Sequence, residues 1–185
     1  MNRTSFLLVL LLVGGCGSES EEPMVHAQVM ADALHAVMEA DRTVYASQVA
    51  HHLETEEAVI NTSEHWMEDG SLPLPAQMFR MGAELVSKNT DTFSYSLLSK
   101  WPVNKDNGPR SELEAAGLDS VARDQSRPFY GRETLDGVEY FTAVYADIAD
   151  SPACVTCHNT HPDSPRNDFV LGETMGGVVI RIPLR

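Results

Sequence analysis

Three features of the sequence predict a single α+β domain, in which N-terminal helices precede a small, mostly antiparallel sheet. A long segment near the N-terminus keeps helical apolar spacing with no Gly or Pro inside it. The second half of the chain turns instead to alternating, branched and aromatic runs separated by Pro/Asn/Gly loops. The 185 residues, 43% of them hydrophobic, are room for one real core rather than two large ones.

The elements follow in order. Asn2 and Arg3 precede Phe6-Leu7-Leu8-Val9-Leu10-Leu11-Leu12-Val13, an apolar run well short of the ~20 residues that span a bilayer as a helix. With the small residues Gly14-Gly15-Cys16 behind it, the run reads as an export signal over residues 1–15. Val13-Gly14-Gly15-Cys16 resembles a bacterial lipobox, which makes Cys16 the lipidated first residue of the mature chain; ordinary cleavage nearby with a chance cysteine is the alternative. Residues 16–23 are polar and read as a tether, leaving 24–185 as the domain.

From residue 24 to about 60, Met30, Leu34, Val37, Met38, Val44, Tyr45, Val49 and Leu53 recur at threes and fours, which predicts one long helix. A second, shorter helix is expected over residues 75–86, with Pro75 near its start. Phe93, Tyr95 and Leu97 alternate with serines as a strand does, and residues 101–109 form a loop. Residues 111–122 read as a helix, and residues 138–148 and 176–184 as two more strands.

With 13 Lys+Arg against 27 Asp+Glu, the formal charge is −14. That balance argues against nucleic acid as a partner and disfavours an anionic membrane surface, so membrane contact is expected only through the anchor.

The chemistry sits in Cys154-Val155-Thr156-Cys157-His158. Two thiols separated by two residues on a tight turn can each add to one vinyl group of a porphyrin, and the adjacent histidine is then placed as an axial iron ligand. Such attachment takes place outside the cytoplasm, in agreement with the export signal. A disulfide, a thiol redox site and part of a zinc site remain as other uses of the pair. A thioredoxin-like site wants its cysteines at the start of a helix in a βαβ unit, and zinc wants a fourth ligand beyond Cys154, Cys157 and His161.

From Leu72 onward the chain resembles the Tll-type family of single c-haem PAS-like domains of bacteria, whose functions are largely unknown. The likeness is carried by residues 138–144 leading into 151–159, then His161-Pro162, Ser164-Pro165, Asp168-Phe169, Leu171-Gly172-Glu173 and the run from Gly176 to Leu184. Upstream, residues 103–109 are similar to an Asn/Pro loop of the family, and Arg42 with Tyr45 sits where members carry a like pair on the first helix. The resemblance implies a PAS-like sheet enclosing one covalent haem c per chain, and a periplasmic sensory or redox role. Members are often fused to membrane helices and signalling outputs, which this sequence does not show.

The resemblance also implies a variable second axial position, filled by methionine, by cysteine or by nothing. Met78 lies on the helix similar to the one that supplies a methionine in some members, and is the expected distal ligand. Met81, His51 and His52 follow it, with core packing the competing use of both methionines. His161, Arg166 and Arg181 are candidates for haem propionates, or for caps and carboxylates. Two functions are expected to compete: sensing of redox state or a small haem ligand, read by a separate partner, and electron transfer to a basic redox protein. No distal acid/base constellation points to an enzyme. The expected setting is periplasmic and lipid-anchored, with the outer membrane favoured and a homodimer possible in principle.

Overall fold

The structure, a computed structural model, describes residues 22–184. The signal over 1–15, Cys16 and all but the end of the tether lie outside the described residues. The first helix, α1 (Glu22–Val44), begins at Glu22, inside the segment read as tether. Its apolar stripe packs against the sheet, with Ala27 and Ala31 buried and Met30, Leu34 and Met38 half-buried, whereas Val37 and Val44 of the expected stripe are exposed.

Beyond α1 the expected single α-helix changes character. Residues Tyr45–Glu56 are π-helical, with hydrogen bonds one residue longer, and the helix ends before Ile60. Ala50 is its one fully buried residue, with Tyr45, Ala46, Val49 and Leu53 half-buried beside it. Tyr45 donates to the Pro73 carbonyl at 2.7 Å, which ties this stretch to the next segment. That segment holds a two-residue parallel pair, β1 (Thr62–Ser63) with β2 (Leu72–Pro73), around the short helix α2 (Trp66–Asp69). None of these three was expected from sequence.

Helix α3 (Pro75–Asn89) starts where Pro75 suggests, and the Gln77 side chain accepts from the Leu74 N–H at 3.0 Å. Strand β3 (Ser94–Leu98) follows, and α4 (Glu112–Arg123) opens on a capping box between Ser111 and Glu114. Strand β4 (Phe129–Leu135) is an addition to the sequence reading. It pairs with β5 (Val138–Ile148) through a two-residue turn, Asp136-Gly137, both at positive φ. Helix α5 (Pro152–Thr160) and strand β6 (Thr174–Pro183) complete the chain.

The expected α+β class holds. The four long strands form an antiparallel sheet in the order β3-β6-β5-β4. One face carries Phe141, Ala143, Tyr145, Val178, Ile180 and Ile182 beneath α1 and Phe79 of α3. The other carries Val144 and Val179, packed with Leu98 against Leu118 and Val121 of α4. Alternation along β5 and β6 puts successive residues on opposite faces, so both faces are buried. At the far end of these two strands the Ala149 N–H donates to Glu173 and the Gly172 N–H to Ala149, at 2.9 and 2.8 Å. This neck pins the excursion over residues 150–171 that carries α5 to the end of the sheet.

Candidate functional site

The local sequence builds α5 as a short, well-capped helix. Ser151 accepts from the Cys154 N–H, Pro152 occupies the first turn where no donor is needed, and the helix stops at His161 before Pro162. Cys154 and Cys157 therefore sit one turn apart on neighbouring positions, with His158 one turn from Cys154. Both thiols are free. Burial pushes the Cys157 thiol above its ordinary value, with Glu64 and Cys154 adding to the effect.

His158 is half-buried, with its ring edge-on to Phe169 at 5.8 Å between centroids. Its Nδ1 is buried without a hydrogen-bond partner. Desolvation lowers its pKa, against the pull of Asp147 and with a small push from His161, so the ring is neutral at pH 7. A neutral imidazole is the form that binds metals. Beneath the helix, Ala149, Phe169 and Met175 are buried with Cys154, Val155 and Trp101 packed on them. Asn159 clamps Phe169 by donating to its carbonyl and accepting from its N–H, both at 2.9 Å. The side chain next to the motif thus fixes the ring on which the histidine rests.

Two bridges bring other elements to α5. Arg42, near the end of α1, pairs with Asp147 of β5, lies 5.9 Å over the Phe79 ring, and is electrostatically close to Asp150 and Cys154. Glu64 reaches His161 Nε2 at 3.3 Å through its carboxylate, while its carbonyl accepts from Gln77 Nε2 at 2.7 Å. The end of α1, the 61–74 segment and the first turn of α3 therefore converge on the Cys154–His158 helix.

Met78 lies between Gln77 and Phe79, the two residues of α3 tied to these bridges, and is half-buried. It points about 100° around the helix from the buried Phe79, with Met81 farther round and also half-buried. His51 is exposed beside Thr55, and His52 pairs with Glu56 and Glu57. Arg166 is held by Asp168 and Glu173 at 2.6 and 2.9 Å and stacks over Trp101 and Phe169. Arg181 pairs with Glu114 and Glu133, both at 2.8 Å, against α4 on the opposite face of the sheet from α1. Both arginines serve protein carboxylates, the second of the two uses open to them from sequence. The contributions of Asp147, Glu64, Asn159 and Trp101 were not singled out from sequence. Asn159, directly after the motif, is the one that its position offered.

The set fits a covalent haem: two free thiols at the required spacing, and beside them a neutral histidine with an unpartnered buried nitrogen on an aromatic floor.

The fold has a counterpart among solved structures, the crystal structure of the cyanobacterial heme-protein Tll0287. The two share 13% identity with a TM-score of 0.54, over 85% of this chain and 96% of that one. No curated protein matches. The family model described as Tll0287-like covers residues 20–183, nearly all of the described chain, and on that match the chain belongs to the Tll0287-like family.

Proposed function

We propose that this protein binds one c-type haem, held by thioethers from Cys154 and Cys157 with His158 as an axial iron ligand, and that it senses redox state or a small haem ligand. The observation that carries the reading is α5 itself, which presents both free thiols one turn apart beside a half-buried histidine whose Nδ1 has no partner. The solved relative is described as a heme-protein, which supports the same cofactor here. Cys154 and Cys157 would hold the haem by thioethers, an addition of S and H across each vinyl group that needs no oxidant. A bound haem supplies one-electron chemistry and an iron site for a sixth ligand. His158 binds and orients, Phe169 sets the ring angle, and Met78 is the proposed distal ligand from the first turn of α3. The role is binding and redox response rather than catalysis.

The proposed setting is the outer side of a membrane, with Cys16 as lipid anchor and the signal peptide removed. Replacing Cys16 with Ser should release the haem protein into the soluble fraction with its spectrum unaltered; continued membrane retention would count against the anchor. For the haem, protein expressed with a c-type maturation system should keep its colour in acidified organic solvent. Complete extraction would sink the proposal. Met78→Ala should abolish a weak near-infrared band of the ferric state and open the iron to CO, while Met81→Ala leaves both nearly unchanged. Equal behaviour of the two variants would remove Met78 as ligand.

Electron transfer is the second reading, favoured by charge. Residues 43–79 contain Glu54, Glu56, Glu57, Glu64, Glu68 and Asp69 with no Lys or Arg, and these residues include the segments that converge on α5. Such a surface steers a basic partner, and the oxidation rate by a cationic redox protein should then fall steeply with salt. A salt-independent rate together with ready CO binding would favour sensing.

A further inference from the structure

We infer that Arg42 is the residue that anchors a propionate carboxylate of the bound haem, using the Nε and Nη2 edge of its guanidinium while Asp147 holds the other end. This inference rests on the haem reading above and adds to it the side chain that neutralises the cofactor's own charge.

The first ground is a census of cations. From residue 22 to residue 79, Arg42 is the only Lys or Arg, and residues 133–165 contain none. These stretches supply α1, the π-helical segment, the 61–74 segment, the first turn of α3, β5 and α5. Within these stretches Arg42 is the one arginine or lysine available to a cofactor with two carboxylates, and Arg80, the next along α3, is exposed and paired with Glu84.

The second ground is how that charge is held. The Arg42 and Asp147 side chains are 22% and 15% exposed, so the pair is largely out of water. Asp147 takes Nη1, and no other hydrogen bond to the guanidinium is found among the described residues. Four of the five N–H bonds remain, and the edge formed by Nε and Nη2 matches a carboxylate bidentately. Cations on the Trp101 side of α5 are committed elsewhere. Arg166 is bound by two carboxylates and two rings, and Lys100 is paired with Asp119.

The third ground is place. Arg42 lies 5.9 Å over the Phe79 ring next to Met78, and its partner Asp147 also acts on His158, while Asp150 and the Cys154 thiol act on the guanidinium from the turn into α5 and from α5. The charged and titratable groups facing it are thus Asp147 from β5, Asp150 from the turn into α5 and the Cys154 thiol, which no longer titrates once it is a thioether. A guanidinium beside the ring favours the ferrous state and keeps an adjacent carboxylate ionised.

The test uses the holoprotein, measured by spectroelectrochemistry across the mildly acid to neutral range with the thioether haem content of each sample determined. Arg42→Met should retain covalent haem, show a lower midpoint potential, and acquire a pH-dependent slope as the released carboxylate titrates. Arg42→Lys, which keeps the charge but not the fork, should fall in the same direction by less. The double variant Arg42→Met/Asp147→Asn should keep both the lowered potential and the slope, because the unpaired Asp147 has been removed as their source. Wild-type potential and slope in Arg42→Met, or in Arg42→Lys if the methionine variant does not accumulate, would overturn the inference. So would a double variant that returns to wild-type behaviour. Absence of thioether haem from the wild type is a different failure, that of the haem reading itself.

Discussion

Glu114 has no solvent exposure, yet it is a carboxylate, and its neighbours explain why it is tolerated there. It caps α4 by accepting from the N–H groups of Arg110 and Ser111, and it pairs with Arg181, which also binds Glu133. Arg181→Leu would leave a buried carboxylate without its cation, a change that costs about 3–5 kcal/mol when a buried pair is broken. Denaturant unfolding should show that loss, while the haem spectrum of the folded fraction stays as in the wild type because the pair lies across the sheet from α1. A shifted spectrum with unchanged stability would contradict this placement. At this scale spacing is what the sequence offers for Cys154, Cys157 and His158, and the structure places all three on one short helix. The sequence was least informative for Arg166 and Arg181, since an arginine's partner depends on which carboxylates the fold delivers, and this chain offers many.

Elements were legible where one periodicity ran uninterrupted. Helices α3 and α4 and strands β3, β5 and β6 all lie where apolar spacing put them, within a few residues at their ends. Strand β4 was missed although Asp136-Gly137 is a strong hairpin signal, because Gly131, Arg132 and Glu133 blur its alternation. The π-helical turns from Tyr45 were not legible either, because Tyr45, Val49 and Leu53 keep a spacing of four that an α-helix satisfies equally well. The close packing of α4 yields a prediction at this scale. A Cβ on Gly117 would stand 2.5 Å from Val144 Cγ2 and 3.0 Å from Phe129 Cδ1. Gly117→Ala gains about 1 kcal/mol in helix propensity, but overpacking costs about 1–3 kcal/mol, so the clash should win and the urea midpoint should fall. A raised midpoint would mean that α4 can shift off the sheet at little cost.

For the whole molecule, stability against pH follows from groups kept neutral by burial. His35 stacks on Tyr145 at 3.9 Å, and desolvation lowers its pKa below 6.5 despite Glu39, Asp32 and Asp147 nearby. The unfolded chain therefore takes up the proton first, so the His35 contribution is complete above pH 6.5 and is lost as pH falls through its lowered folded value. Tyr130 and Tyr145 both donate to Asp32 Oδ1, and burial followed by that carboxylate pushes Tyr130 up to about 12 and Tyr145 higher still. Their contribution is complete below pH 10 and fades as the pH rises beyond it. Denaturation midpoints should form a plateau between these limits, and His35→Phe, which keeps the stack, should flatten the acid side. An unchanged acid side would show that other groups control it.

The central claim, that Cys154 and Cys157 each carry one thioether to a single haem, is tested most directly by alkaline pyridine spectra of the matured wild type and of the Cys154→Ala and Cys157→Ala variants. The wild type should give the reduced spectrum of a haem with both vinyl groups saturated, and each variant the red-shifted spectrum of a haem with one vinyl remaining. A wild-type spectrum of unmodified protohaem, or single variants indistinguishable from the wild type, would contradict it.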